Sequence, residues 1–296
     1  MEVNRIYNRS MEDTTMSEEK KNVVTEESKE ARELTNEELE QVSGGVAHLG
    51  TNTAEYRIVD LDTYKRKTIL EYFLSLSSPQ TGFTVDVDVT ELIRFCKENR
   101  CSFFLTFLHI AALSADSVPQ FRHRLHRLTE EEKKDPRHSK CPDKGPFKDL
   151  EIRVYEKCPT SHTEQGDSET YCYCYLNHHM PWKEYIETAT EIQRKARIDA
   201  SLSCGPEALE VYYLSSCVPW VRYTDCIHPW GNQFDSNPRI GWGKYEADFR
   251  GRMMMPVTVR VHHGLADGQH IALFFKKVDD NIKKLTEGYD PYAKII

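Results

Sequence analysis

Pro256-Val-Thr-Val-Arg-Val-His262-His263-Gly-Leu-Ala-Asp267-Gly268-Gln-His270 passes from one periodicity to another within a few residues. Val257, Val259 and Val261 alternate with polar or charged neighbours, the period of a strand with one buried face. Beyond Gly268 the apolar residues Ile271, Phe275, Val278, Ile282 and Leu285 recur at spacings of four, three, four and three, which is the stripe of an amphipathic helix. Between the two there is room only for a tight turn. A strand feeding directly into a helix places that helix beside the sheet, and the rest of the chain extends the pattern.

Working outward, residues 84–89 alternate strictly, so Val85, Val87 and Val89 share one face of a strand. Thr90 offers an N-cap oxygen to a following helix whose buried stripe is Leu92, Ile93, Phe95 and Cys96. Residues 102–117 are apolar nearly all round, as in a central helix, and Pro119 stops it. A further helix beginning near Pro181 carries Trp182, Tyr185, Ile186, Ala189 and Ile192 on one side. Residues 211–220 and 254–263 read as strands, and the charged stretch 127–149 as a surface loop. Strands and helices are mixed in order rather than regularly alternating. This predicts an α+β fold, a two-layer α/β sandwich in which helices cover a large mixed sheet.

Charge divides the 296 residues unevenly. The formal net charge is -8, but residues 1–45 hold 12 Asp and Glu against 6 Lys and Arg, which leaves the body of the chain close to neutral. No basic excess suits a phosphate backbone, so a nucleic-acid partner is not expected. No apolar run approaches the roughly 18 residues of a membrane span, and no secretory signal peptide opens the chain, so membrane insertion is not expected and the cytoplasm is the default location. The nine cysteines are odd in number and scattered, which reads as free thiols. Cys172 and Cys174 form a C-x-C without a second ligand pair at zinc spacing; strand alternation explains them, and no metal is expected. Glycine-rich dinucleotide and P-loop fingerprints are absent from the sequence.

Chemistry concentrates in His262-His263-x-x-x-Asp267-Gly268. The alternation of the preceding valines puts His263 on the valine side, where partial burial favours a neutral imidazole. Neutral imidazole can take a hydroxyl proton as the oxygen attacks an acyl carbon, then return it to the leaving group. Asp267, followed at once by Gly268, could orient that ring or lock the turn.

H-H-x-x-x-D-G between a valine strand and an amphipathic helix resembles the signature of the chloramphenicol acetyltransferase family, within the CoA-dependent acyltransferases. Leu214-Ser215-Ser216-Cys-Val-Pro219-Trp220 is similar to the family's S-x-x-P-W strand, and Tyr64-Lys-Arg66 to its aromatic-x-Arg segment. Residues 83–125 and 238–245 extend the likeness. The resemblance implies an acetyl-CoA-dependent O-acetyltransferase acting on chloramphenicol or a similar small hydroxylated acceptor, in the manner of an antibiotic-resistance enzyme. It implies His263 as general base, Ser216 as hydroxyl donor to the oxyanion, and a salt bridge between Arg66 and Asp267. Lys244 and Tyr245 match positions near the CoA channel, and Gly241 stands where a threonine is common. The resemblance further implies a homotrimer with active sites between subunits. Phe73, Tyr173 and Tyr175 are candidates for the acceptor pocket.

Ahead of this domain, expected over residues 50–296, residues 1–49 form an acidic extension too poor in large apolar groups to order itself over most of its length. Within it Leu34, Leu39, Val42, Gly44 and Gly45 mark a short amphipathic helix ending at a glycine pair, similar to the double-glycine leaders of bacteriocin-type peptides. That resemblance implies a peptidase-transporter partner, cleavage after Gly45 and export. The second reading of the whole chain follows from it: a leader-bearing, non-catalytic binding or cargo protein on the same fold.

Overall fold

The computed structural model describes residues 55–165, 171–199 and 210–294, so the reading of Gly44 and Gly45 as a leader lies outside the described residues. The valine strand is β10 (Met253–His262), one residue shorter at its end than the alternation suggested. It is flanked antiparallel by β2 (Gln80–Asp88) and β8 (Arg239–Gly243). β8 pairs in parallel with β7 (Tyr213–Val218), β7 in parallel with β5 (Thr160–Gln165), and β5 antiparallel with β6 (Tyr171–Leu176). With the short β9 (Glu246–Ala247) beside β10, this is a mixed sheet of seven strands. A second, antiparallel sheet runs in the order β1 (Tyr56–Ile58), β4 (Leu150–Tyr155), β3 (His123–Arg127).

One face of the large sheet is dry. Val257, Val259 and Val261 join Ile240 and Trp242 of β8 in the core. Helices cover them: α2 (Thr90–Glu98), α3 (Phe103–Asp116), α4 (Trp182–Asp199) and α5 (Gly268–Thr286). Each fully buried Val, Leu or Phe there contributes about 1.5–3 kcal/mol relative to exposure. The expected layering of helices over a large mixed sheet is therefore present. The all-round apolar α3 is buried continuously from Leu105 to Ala115, and the Ser102 hydroxyl caps it by accepting from the Leu105 N–H at 3.3 Å. Cys172 and Cys174 lie on the core side of β6 at 1% exposure, and the described cysteines are all free thiols.

Thr90 does not cap α2. It is the first residue of the helix, Val89 holds the cap position, and the Asp88 carboxylate accepts from the Thr90 backbone and hydroxyl. The Thr90 oxygen instead accepts from the N–H of Met253, tying α2 to the start of β10. The 127–149 stretch is mainly turns and short 3-10 segments, but His138 and Phe147 within it are buried.

Helix α1 (Lys67–Leu74) belongs to a second core. Its Leu70 and Leu74 pack with Leu125, Leu150 and Ile152 of the small sheet and with Leu265 from the turn after β10. Arg66 and Phe73, seven residues apart across α1, thereby face the end of β10 together. No helix among the described residues is long and apolar enough to cross a membrane.

Candidate active site

The turn after β10 gives the paired histidines different surroundings. His262 is 1% exposed and spends both ring nitrogens on backbone: Nδ1 accepts from the Gly264 N–H at 3.1 Å, and Nε2 donates to the Gln233 carbonyl at 3.0 Å. Burial pushes its pKa down to about 4, so it is a neutral structural tie at ordinary pH.

His263, half-buried, is anchored through its own N–H to the Pro79 carbonyl at 2.8 Å. Its Nδ1 lies 3.2 Å from the Ala266 carbonyl. A carbonyl accepts only, so Nδ1 carries the hydrogen, and in the neutral imidazole Nε2 is the nitrogen left with a lone pair. Phe73 stacks on the ring with centroids 4.2 Å apart, fixing its plane. This is the tautomer and the rigidity that a general base requires.

Arg66 and Asp267 hold the turn rather than the ring. Arg66 Nη1 donates to Asp267 Oδ2 at 2.7 Å, Nη2 to the His263 carbonyl at 3.1 Å, and Nε to the Gly264 carbonyl at 3.3 Å. The other Asp267 oxygen caps α5 by accepting from the Gln269 N–H at 3.2 Å. Burial favours protonating Asp267, but Arg66 and His270 outweigh it and hold the carboxyl below its ordinary value. Of the two roles open to Asp267 in the sequence, the one realised is locking the turn.

Ser216 lies elsewhere. It is half-buried on β7, with Oγ 3.4 Å from the Thr163 hydroxyl of β5. In register it is level with Gly241 of β8, which is level with Thr258 of β10. His263 follows Thr258 by five residues, so at strand spacings it is about 16 Å along β10 and about 10 Å across two strands from Ser216. Within one chain, base and serine do not meet.

The remaining predicted residues divide the same way. Phe73 is with His263, whereas Tyr173 of β6 is level with Thr163 and so stands in the Ser216 row. Tyr175 packs against Tyr212, with ring centroids 5.0 Å apart. Lys244 and Tyr245 follow the end of β8 that lies beyond Gly241, away from His263. Lys244 is exposed and pairs with Glu246 at 3.1 Å, and Tyr245 packs edge-on against Phe103 at 5.4 Å.

A family profile described as chloramphenicol acetyltransferase matches residues 54–136 and 145–279, which is most of the chain. The chain belongs to the chloramphenicol acetyltransferase family. The chloramphenicol acetyltransferase of Escherichia coli is 25% identical over 229 residues, 73% of this chain and 89% of that one. That of Staphylococcus aureus is 24% identical over 228 residues, 75% of this chain and 93% of that one. A solved chloramphenicol acetyltransferase structure has the same fold, with a TM-score of 0.61 at 24% identity, covering 77% of this chain and 100% of that chain. Membership of the chloramphenicol acetyltransferase family makes the protein an acetyltransferase with acetyl-CoA as co-substrate.

One residue beside Ser216 is not singled out by any motif in the sequence. His228, in the segment between β7 and β8, lies with Nε2 2.7 Å from where a Cβ of Gly241 would be, directly beside Ser216 in the ladder. The only trace of it was Gly241 itself, a glycine inside a strand.

Proposed function

We propose that this chain is an acetyl-CoA-dependent O-acetyltransferase for a small hydroxylated acceptor, chloramphenicol or a compound like it. The observation that carries the reading is the placement of the His263 ring: Nδ1 lies against the Ala266 carbonyl, and Nε2 makes no hydrogen bond among the described residues. In the step proposed, the acceptor oxygen forms a bond to the thioester carbon as its proton passes to Nε2. The carbonyl oxygen becomes an oxyanion. Collapse breaks the carbon–sulfur bond, and the proton returns from Nε2 to the departing CoA sulfur. A positioned base contributes typically 10²–10⁴-fold to such a step.

The Ser216 hydroxyl is the proposed donor to the oxyanion, and its separation from His263 within one chain supports a pairing with the His263 of another copy. A homotrimer, as the family resemblance implies, supplies that arrangement with a site at each subunit boundary. Phe73 would then meet the acceptor from the histidine side and Tyr173 and Tyr175 from the serine side, with Lys244 and Tyr245 along the approach of CoA. Free thiols and the use of acetyl-CoA favour the cytoplasm.

The intact Arg66–Asp267 clasp around His263 weighs against the non-catalytic cargo reading. Residues 50–296 are proposed as the catalytic domain and 1–49 as a separate extension. Mass spectrometry of cell and medium fractions checks its leader character, with a new N-terminus at Val46 expected if the glycine pair is cleaved.

Thiol release from acetyl-CoA, measured with a panel of hydroxylated acceptors including chloramphenicol, tests the activity. Acceptor-dependent release by the wild type that His263→Ala abolishes supports the reading. A folded wild type that binds no CoA and releases no thiol with any acceptor rejects it.

A further inference from the structure

β8 reads Arg239-Ile240-Gly241-Trp242-Gly243, and because Ile240 and Trp242 point into the core, both glycines sit on the opposite face. The segment 219–237 fills these bare positions. A Cβ at Gly243 would lie 2.8 Å from the Val221 carbonyl and the Tyr223 ring, and a Cβ at Gly241 2.7 Å from His228 Nε2. The segment is fastened where it crosses: Arg222 to Asp86 at 2.7 Å, Arg260 to Asp225 at 2.5 Å, and the Lys244 N–H to the Val221 carbonyl at 2.9 Å. The His228 imidazole is therefore built into the sheet face.

Its place in the ladder gives it meaning. Gly241 lies between Ser216 of β7 and Thr258 of β10, and laterally paired residues face the same side with Cβ atoms about 5 Å apart. Hydroxyls continue the row on both flanks, Thr258 with Thr84 at 2.7 Å and Ser216 with Thr163 at 3.4 Å. The imidazole occupies the one gap in this polar row, next to the serine. It also has bonding capacity in hand: Nδ1 is buried without a partner among the described residues, and Nε2 reaches only the Cys226 sulfur at 4.0 Å. Buried polar groups are ordinarily satisfied, and an exception asks for an explanation, a catalytic role among them. Burial, with Arg239 and Arg260 nearby, pushes the ring pKa down to about 4, so it is a neutral imidazole with a hydrogen to donate.

We propose that His228 is a further residue of the acyl-transfer site, donating to the oxyanion of the transferring acyl group alongside Ser216. The inference rests on the reading of Ser216 as oxyanion donor and adds a second donor, from a loop, at the position that Gly241 leaves open.

The test is steady-state thiol release from acetyl-CoA with the acceptor that the panel identifies, comparing wild type, His228→Phe, His228→Gln, Gly241→Ala and His263→Ala. His228→Phe keeps a planar aromatic ring and removes both nitrogens; kcat is expected to fall about 100-fold, as for loss of one oxyanion donor, while KM for acetyl-CoA stays within about twofold. His228→Gln, which keeps a donor, recovers part of the loss. Gly241→Ala leaves the histidine in place but forces its Nε2 aside, and lowers kcat in the same sense. The double variant Ser216→Ala/His228→Phe loses less than the product of the single effects, because the two donors share one oxyanion.

Unchanged kcat in folded His228→Phe, with His263→Ala inactive, overturns this inference and leaves the acetyltransferase reading standing. Equal losses in His228→Phe and His228→Gln also overturn it, since they show that packing alone is at stake. A folded wild type silent with every acceptor overturns the acetyltransferase reading and this inference with it.

Discussion

His262 and His263 are chemically identical neighbours, and their surroundings separate them completely. Both nitrogens of His262 are tied to backbone groups, whereas His263 has one tied and one open. His263→Ala is therefore expected to lower kcat by about 10³-fold with little change in the thermal midpoint. His262→Ala should instead lower the midpoint, by leaving the Gly264 N–H and the Gln233 carbonyl buried without partners. Thermal melts alongside the thiol-release assay distinguish them, and equal kinetic losses at both positions would contradict the division of labour. Arg66 makes a third case, because one guanidinium holds the Asp267 carboxylate and two carbonyls of the turn. Arg66→Lys keeps a charge at Asp267 but cannot span all three acceptors. Its expected signature is a lower kcat, partly recovered relative to Arg66→Ala, with KM for acetyl-CoA little changed.

Elements with a clear period are legible in the amino-acid sequence: the valine strand β10, the apolar α3 and the striped α5 occur where alternation and spacing put them. The strands β3 and β4 are not. His-Arg-Leu-His-Arg and Leu-Glu-Ile-Arg-Val-Tyr carry Arg124, Glu151 and Arg153 at positions that prove to be buried, and each of these finds at least one partner outside its own strand. Arg153 reaches Glu132 at 2.7 Å, His138 reaches Glu151 at 2.9 Å, and the fully buried Arg124 donates to the carbonyls of Phe121, His123, Glu210 and Tyr212. Arg124→Met, which keeps length and removes every donor, should cost about 3 kcal/mol in urea unfolding through the stranded carbonyls. A loss below about 0.5 kcal/mol, the ordinary range for a surface change, would show that the guanidinium is not the tie between β3 and the start of β7. The candidate site is legible to the same degree. His263 and Asp267 sit in one short motif whose geometry is local once the turn forms, whereas Arg66, legible through a short motif of its own, reaches that turn from 201 residues away. The distance from Ser216 to His263 depends on the register of three strands, and His228 meets Gly241 only because an aperiodic loop crosses the sheet. Neither fact leaves a period in the sequence.

Two properties belong to the molecule as a whole, and the first is acid sensitivity. Burial pushes His109 down to about 3, and His123, His228 and His262 to about 4, with neighbouring cations adding to the effect at His123 and His228. The unfolded chain protonates such histidines near 6.5, so below that pH it takes up protons that the folded chain refuses until about 4. Stability is at its full value above about pH 6.5 and falls as pH drops toward 4, by up to about 1.4 kcal/mol per pH unit for each histidine. His126, raised by Glu210 and Glu132 against its own burial, works in the opposite sense and offsets part of the loss. Thermal midpoints from pH 8 to pH 4.5 should be level at first and then decline; a flat profile would contradict the buried neutral histidines.

The second is the proposed sharing of the site between copies. If the base and the oxyanion serine of each site come from different copies, two inactive chains can repair each other. His263→Ala chains bring an intact Ser216, Ser216→Ala chains an intact His263, and a boundary that joins the right pair is complete. Unfolding and refolding an equal mixture distributes chains at random, so about one boundary in four in a cyclic oligomer regains both groups. The mixture should show about a quarter of the wild-type acceptor-dependent thiol release, while each variant refolded alone stays near its own residual level. Mixing without exchange of subunits should recover nothing, which separates complementation from contamination. No recovery after demonstrated exchange, by mass spectrometry of the mixed oligomer, would mean that each chain completes its own site. The separation of Ser216 from His263 across β7, β8 and β10 would then have to close by a rearrangement of the sheet itself, which ladder hydrogen bonds along all three strands oppose.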